Sequence, residues 1–224
     1  MHIGLIGGIG PAATEFYYRG LIDRHAKSNT ALELTIVHAD VHEMSRNLIN
    51  RDPHKQADIF ASLVQRLNAA GAEAAAVTSM GGHFCIKELK SISPLPMLNA
   101  LPAVAAEVGQ RGHKTVGILG TRMVMETRLY GALSAVEVVV PEREALDAVH
   151  QNYVEMATVG RVTDAQRKVF FAAGSKLHRE RGAEIVLLGG TDLFLAFDGR
   201  DCGFPVLDCA DVHTEAIYER SIAT

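Results

Sequence analysis

The chain has 224 residues, 48% of them hydrophobic and 21% charged, and 22 Lys and Arg against 26 Asp and Glu leave a formal charge of −4. This globular composition has no basic run and no apolar stretch of ~18 residues, which excludes an electrostatic nucleic-acid footprint and a readable membrane-spanning helix. Three cysteines, Cys85, Cys202 and Cys209, form no CxxC pair, which excludes a disulfide framework and a four-thiolate zinc site; a reduced, cytoplasmic protein is expected.

MHIGLIGG at the start lacks the basic region and long apolar segment of a signal peptide and reads as a strand over Ile3–Ile6. Further short runs of Val, Ile, Leu and Ala follow at Leu34–Val37, Ala74–Val77, Thr115–Leu119, Val136–Val140, Ile185–Leu188 and Val206–Leu207. Amphipathic stretches predict helices over 11–28, 54–70, 83–90, 100–111, 122–133, 142–157, 163–181 and 210–222. Pro11 suits a first helical turn, Gly71 and Gly182 suit helix ends, and Thr163 with Gln166 forms a capping box. Alternating short buried strands and helices imply parallel sheets covered on both faces. Ser93-Pro94-Leu95-Pro96, near the midpoint, is the best candidate boundary.

The chain reads as a duplication. Ile3-Gly4-Leu5-Ile6-Gly7 resembles Val116-Gly117-Ile118-Leu119-Gly120, 113 residues later, and Gly71-Ala72-Glu73 resembles Gly182-Ala183-Glu184, 111 residues later. The expected fold is α/β, with two pseudo-symmetric, flavodoxin-like parallel-sheet halves covering 1–98 plus 209–224 and 99–208. Ligands of parallel α/β sheets bind at the carboxyl ends of strands, so the site is expected in the crevice between the halves. Ser79 and Gly190 then occupy equivalent positions, each six residues after the repeated Glu.

These loops resemble those of the aspartate/glutamate racemase family. Gly7-Gly8-Ile9-Gly10-Pro11-Ala12-Ala13-Thr14 is similar to its N-terminal GGMGPxAT loop, and Leu119-Gly120-Thr121-Arg122 to its LGTxxT loop. Gly189-Gly190-Thr191-Asp192 stands where the family has GCTE, and Asp208 to Ala216 matches a late DTxxIHxEA segment. Asp40-Val41-His42-Glu43 resembles a segment of broad-specificity members. The resemblance implies cofactor-independent proton transfer at an α-carbon by two residues, commonly cysteines, on opposite faces of a small carboxylate substrate. A thiol suits this task because its pKa is readily tuned toward neutrality. It also implies a homodimer.

Here both cysteine positions are replaced, by Ser79 in Thr78-Ser79-Met80-Gly81-Gly82-His83 and by Gly190. Val124 replaces the second Thr of LGTxxT. Ser79 and His83 are the candidate catalytic residues: a serine hydroxyl needs a base such as His83, and its alternative role is to bind ligand or cap the next helix. Gly8, Ile9, Gly10, Met80, Gly81, Thr121, Gly190, Thr191 and Asp192 are candidate substrate-binding residues. Arg46 is a candidate for a distal carboxylate, with Arg51 as its competitor. Cys209 and His213 stand behind these, and Cys209 is an alternative second base. Gly8 to Ala13 also fits the dinucleotide pattern GxGxxA, but the acidic residue ~20 positions on is missing, and the loop reads as an anion cradle. No metal-ligand spacing occurs, and no cofactor, metal or nucleic-acid partner is expected.

Losing the side chain at Gly190 makes the usual two-base racemisation improbable. The expected function is family chemistry altered to one side of the α-carbon of a small amino or hydroxy acid, as lyase, isomerase or decarboxylase. The alternatives are a racemase or epimerase with a replacement base, and a non-catalytic carboxylate binder.

Overall fold

A computed structural model describes residues 1–223. The elements in chain order are β1 (His2–Gly7), α1 (Pro11–Ser28), β2 (Glu33–His38), α2 (Val41–Ile49), α3 (Pro53–Ala69), β3 (Ala74–Val77), α4 (Ile86–Ile92), β4 (Met97–Leu98), α5 (Ala100–Gln110), β5 (Thr115–Leu119), α6 (Arg122–Glu126), β6 (Glu137–Val139), α7 (Glu144–Val159), α8 (Asp164–Arg181), β7 (Ile185–Leu188), α9 (Phe194–Phe197), β8 (Val206–Asp208) and α10 (Cys209–Ile222). Short 3-10 helices at Gly81–Cys85 and Thr191–Leu193 follow β3 and β7.

Two compact units result. Met1–Ala100 with the segment from His213 onward forms the first, and Leu101–Val212 the second. Each contains one four-stranded, all-parallel sheet, ordered β2-β1-β3-β4 in the first and β6-β5-β7-β8 in the second. This is an α/β fold in which the same strand order is built twice. Register makes the correspondence residue by residue: Ile3 pairs with Ala74 as Val116 pairs with Ile185. Ala76 pairs with Leu98 as Leu187 pairs with Leu207, so Asn99 and Asp208 occupy like positions at the strand ends.

The strands form where a short run buries on both faces. Ala74–Val77 and Ile185–Leu188 are buried throughout, as central strands under helices should be. The second unit packs around Tyr153, Phe170, Phe197 and Phe204. The Thr163–Gln166 capping box is present, with the Gln166 amide N–H on the Thr163 hydroxyl at 3.2 Å and the Thr163 amide N–H on Oε1 of Gln166 at 2.9 Å. Gly182 ends α8 in the left-handed conformation at φ 74°.

Two local expectations are corrected, and two elements appear that the sequence reading lacked. The Pro-rich stretch is not the boundary, because the chain passes from Pro96 straight into β4 and the division falls at Ala100. β4 itself was missed, being two residues long. A helix over 122–133 stops at Glu126, since Arg128, Leu129 and Tyr130 all take positive φ and the Thr127 hydroxyl receives the Tyr130 amide N–H at 3.0 Å. α2 was also missed, although Asp40 accepts the Glu43 amide N–H at 2.8 Å as its N-cap. No helix among the described residues is long and apolar enough to cross a membrane.

Candidate functional site

In the first unit the turn after β1 requires glycine. Gly8 has φ 87°, and a Cβ there would lie 2.4 Å from Nδ1 of His38 and 2.6 Å from the Ala39 carbonyl oxygen. The Gly8 amide N–H donates to the Thr14 hydroxyl at 2.9 Å, so the loop ties itself together with this donor rather than holding it for an anion. Ile9 is buried, and Gly10 opens α1 at φ 83° with no side chain to cap it. Arg46 lies exposed on α2, and Arg51 follows that helix with φ 53°.

The Ser79 hydroxyl accepts the Gly82 amide N–H at 3.3 Å, which caps the 3-10 turn. His83 does not reach this hydroxyl to activate it. Its Nδ1 donates to the Ser79 carbonyl at 2.7 Å, and that donation leaves Nε2 as the acceptor for the Ala100 amide N–H at 3.3 Å. The ring is 1% exposed, and burial pushes its pKa down to about 4. His83 thus pins a strand end and is neutral at pH 7. Met80 and Gly81 beside it are buried.

His213 completes the same clamp from α10. Its Nε2 donates to the Leu98 carbonyl at 3.1 Å, and Nδ1 accepts from the Tyr17 hydroxyl at 2.9 Å. The rings of His83 and His213 meet edge to face, with centroids 5.6 Å apart. Burial, then the neighbouring His83, pushes His213 down to about 3. Together the two histidines hold both peptide groups that flank Asn99, at the carboxyl end of β4.

In the second unit Thr121 caps α6 by accepting the Val124 amide N–H at 3.3 Å. Arg122 pairs with Asp147 and Glu126 on the surface. The loop after β7 holds the decisive geometry. A Cβ on Gly190 would stand 2.2 Å from Cε2 and 2.7 Å from Cζ of Tyr153, on α7. The Tyr153 ring therefore fills the volume into which any side chain at position 190 would grow. Its hydroxyl donates to Oδ2 of Asp192 at 3.2 Å, both residues being buried. Burial, then the Asp192 charge, raises the phenol well above its ordinary value, so it keeps its proton. Next to them, the Thr191 hydroxyl is fully buried beside the Tyr153 phenol.

One strand over, Leu188 is in register with Asp208, whose carboxylate accepts the Ala210 amide N–H at 2.8 Å. Burial, with the charges of Asp211 and Asp198, raises its pKa to about 7. The folded state thus holds this proton more tightly than the unfolded chain. The resulting cost is absent below pH 3.8, grows up to about 7 and then stays constant. Asp208→Asn keeps the acceptor for Ala210, and is expected to raise stability by roughly 2–4 kcal/mol at pH 8 and by little at pH 4, read by urea unfolding at both.

Burial works against a thiolate at two of the three cysteines. Cys209 is fully buried, and burial next to Asp208 pushes its thiol far up. Cys85 is pushed up to about 12 by burial and Glu88, and the half-buried Cys202 donates to the Phe204 carbonyl at 3.2 Å. Among the described residues no three His, Cys, Asp or Glu side chains converge to hold a metal ion.

Reasoning from sequence missed Tyr153, the residue that explains Gly190. A signal was present: Leu146, Val149, Tyr153 and Met156 form the buried stripe of α7, and a phenol on such a stripe needs a polar partner.

The Asp/Glu/hydantoin racemase family model matches residues 6–217. An Asp/Glu racemase candidate from Yersinia pestis is 26% identical, with 100% of each chain covered and a TM-score of 0.84. An aspartate racemase homologue from Pyrococcus horikoshii is 26% identical, with 99% of each chain covered and a TM-score of 0.80. Glutamate racemase from Francisella tularensis, crystallised with D-glutamate, shares the fold at 14% identity and a TM-score of 0.69, covering 98% of this chain and 80% of its own. With the duplicated sheet and its glycine-rich strand ends already in place, the family match over nearly the whole chain makes this protein a member of the Asp/Glu/hydantoin racemase family.

Proposed function

We propose that the chain is a racemase-family enzyme that moves a proton at the α-carbon of a small amino or hydroxy carboxylic acid, without a cofactor and from one face only. Family membership supports chemistry of the racemase type. The one-sided character rests on a single observation: the space beyond Gly190 is taken by Tyr153, with a Cβ-to-ring distance of 2.2 Å. A thiol cannot stand there, and Cys209, at the start of α10, is buried with its thiol pushed far up. One-sided proton transfer serves an elimination, an isomerisation or a decarboxylation as well as simple exchange, because each needs one acid–base group at the α-carbon.

Binding without turnover is the second reading. It is favoured by the Ser79 hydroxyl, which caps Gly82 and has no ring nitrogen of His83 to activate it.

Incubating the protein in deuterated water with both enantiomers of aspartate, glutamate and malate separates the two. Deuterium at Cα, or formation of a product, is expected with at least one acid. A clear rise in melting temperature with no exchange in any of them would leave a binding protein in place of an enzyme.

A further inference from the structure

Five side chains of the second unit surround a solvent-open hollow of about 360 Å3: Asp164, Arg167, Lys168, Phe171 and Arg200. The first four fall at i, i+3, i+4 and i+7 on one face of α8, and Arg200 follows α9. α8 buries a different set, Phe170, Gly174 and Leu177, so this face is not the one that packs the core. The volume suits a small organic molecule. Arg167 braces the wall: its side chain is 14% exposed, Nε donates to the Ala196 carbonyl of α9 at 3.2 Å, and Nη1 donates to Asp164 at 2.5 Å. That pair occupies the one carboxylate of the hollow. Lys168 and Arg200 are exposed, and among the described residues their side chains make no hydrogen bond or ion pair. Asp198 and Asp201, close to Arg200 in the chain, form no ion pair with it. Beside these cations the half-buried Phe171 ring is held against the buried Phe197, with centroids 4.9 Å apart. In a chain of formal charge −4, one concave patch thus joins two unpaired cations to an aromatic wall.

We propose that this hollow is a binding site for a small aryl phosphate, with the ring against Phe171 and the phosphate between Lys168 and Arg200. Two cations without a carboxylate partner match a phosphate, which carries nearly two negative charges above pH 7, better than a singly charged carboxylate. A guanidinium and an ammonium supply several donors to its three terminal oxygens. The ring supplies the second half of the recognition, because a flat apolar body stacks on an aromatic face that water would otherwise cover. Arg167 keeps the wall in shape by tying α8 to α9 before any ligand arrives, which lowers the ordering cost of binding. The site needs no turnover at the strand ends and is independent of the proposed function above.

Titration calorimetry of the whole chain at pH 8 with phenyl phosphate, inorganic phosphate, benzoate and benzyl alcohol tests it. Phenyl phosphate is expected to bind saturably at millimolar concentration or below. Inorganic phosphate and benzyl alcohol, each with half of the contacts, are expected to bind at least about tenfold more weakly, and benzoate more weakly than phenyl phosphate. The double variant Lys168→Ala, Arg200→Ala changes only exposed side chains and is expected to weaken phenyl phosphate at least about tenfold. Lys90→Ala, which removes an exposed cation on α4 of the first unit, is expected to leave the affinity unchanged. No saturable binding of phenyl phosphate, an unchanged affinity in the double variant, or an equal loss in Lys90→Ala would overturn the site. Equal binding of inorganic phosphate or of benzoate would overturn the assignment of an aryl phosphate to it.

Discussion

Between pH 7 and pH 4 the protein is expected to lose several kcal/mol of stability through two histidines alone. In the folded chain His83 and His213 each donate from one nitrogen and accept at the other, so neither has room for a second proton. Their folded pKa values, about 4 and about 3, lie below the ordinary 6.5. The stability they contribute is therefore complete above pH ~6.5 and falls as the unfolded chain takes up protons that the folded chain refuses. For His83 alone the difference amounts to roughly 3 kcal/mol, and the adjacent rings resist double protonation further. Protonation of His83 also takes the acceptor from Ala100, which loosens the junction of β4 and α5. Urea unfolding from pH 7.5 to pH 4 measures the effect. His83→Gln is expected to be less stable than the unaltered protein at pH 7.5 and to show a shallower decline toward pH 4. An equally steep decline would show that other groups govern acid unfolding.

Gly190→Cys, which restores the thiol of the family pattern, is expected to destabilise the protein by about 3 kcal/mol, as overpacking of a filled interior does. The ring it meets cannot swing aside freely, because its hydroxyl is held by Asp192 and its helix belongs to the core of the second unit. Making room should reverse the effect: in the Tyr153→Ala background the added cysteine is expected to cost far less, or to stabilise by filling the cavity left by the ring. The four melting temperatures of this double-mutant cycle decide it. Additive effects of the two substitutions would mean that the ring does not occupy the volume beyond Gly190.

The strands were legible because a buried parallel strand is a short run of apolar residues with nothing else in it; Ala74–Val77, Thr115–Leu119 and Ile185–Leu188 have the bounds the runs suggest. The duplication was legible for the same reason, and the strand registers bear out the equivalence of its two matches. β4 was hidden because two residues carry no period, and α2 because it is short and one of its two buried positions, Asn47 beside Met44, is polar. At the site, the missing side chain of Gly190 could be read from one position, and its consequence could not. Tyr153 lies on a different helix, and only the tertiary packing brings its ring to the glycine. His83 shows the opposite error. Its place beside Ser79 suggests an activating base, but its nitrogens go to backbone groups of Ser79 and Ala100, and the second of these is joined only by the fold.

The stereochemical course at the α-carbon tests the one-sided reading most directly. Starting from L-aspartate in deuterated water, and from whichever other acid of the panel exchanges, deuterium entry at Cα and enantiomeric composition are followed in the same sample. Deuterium is predicted to enter with the configuration retained, at least about tenfold faster than the opposite enantiomer accumulates, as the proposed transfer on one face requires. Inversion that keeps pace with deuterium entry would require a second group on the other face and would contradict the account.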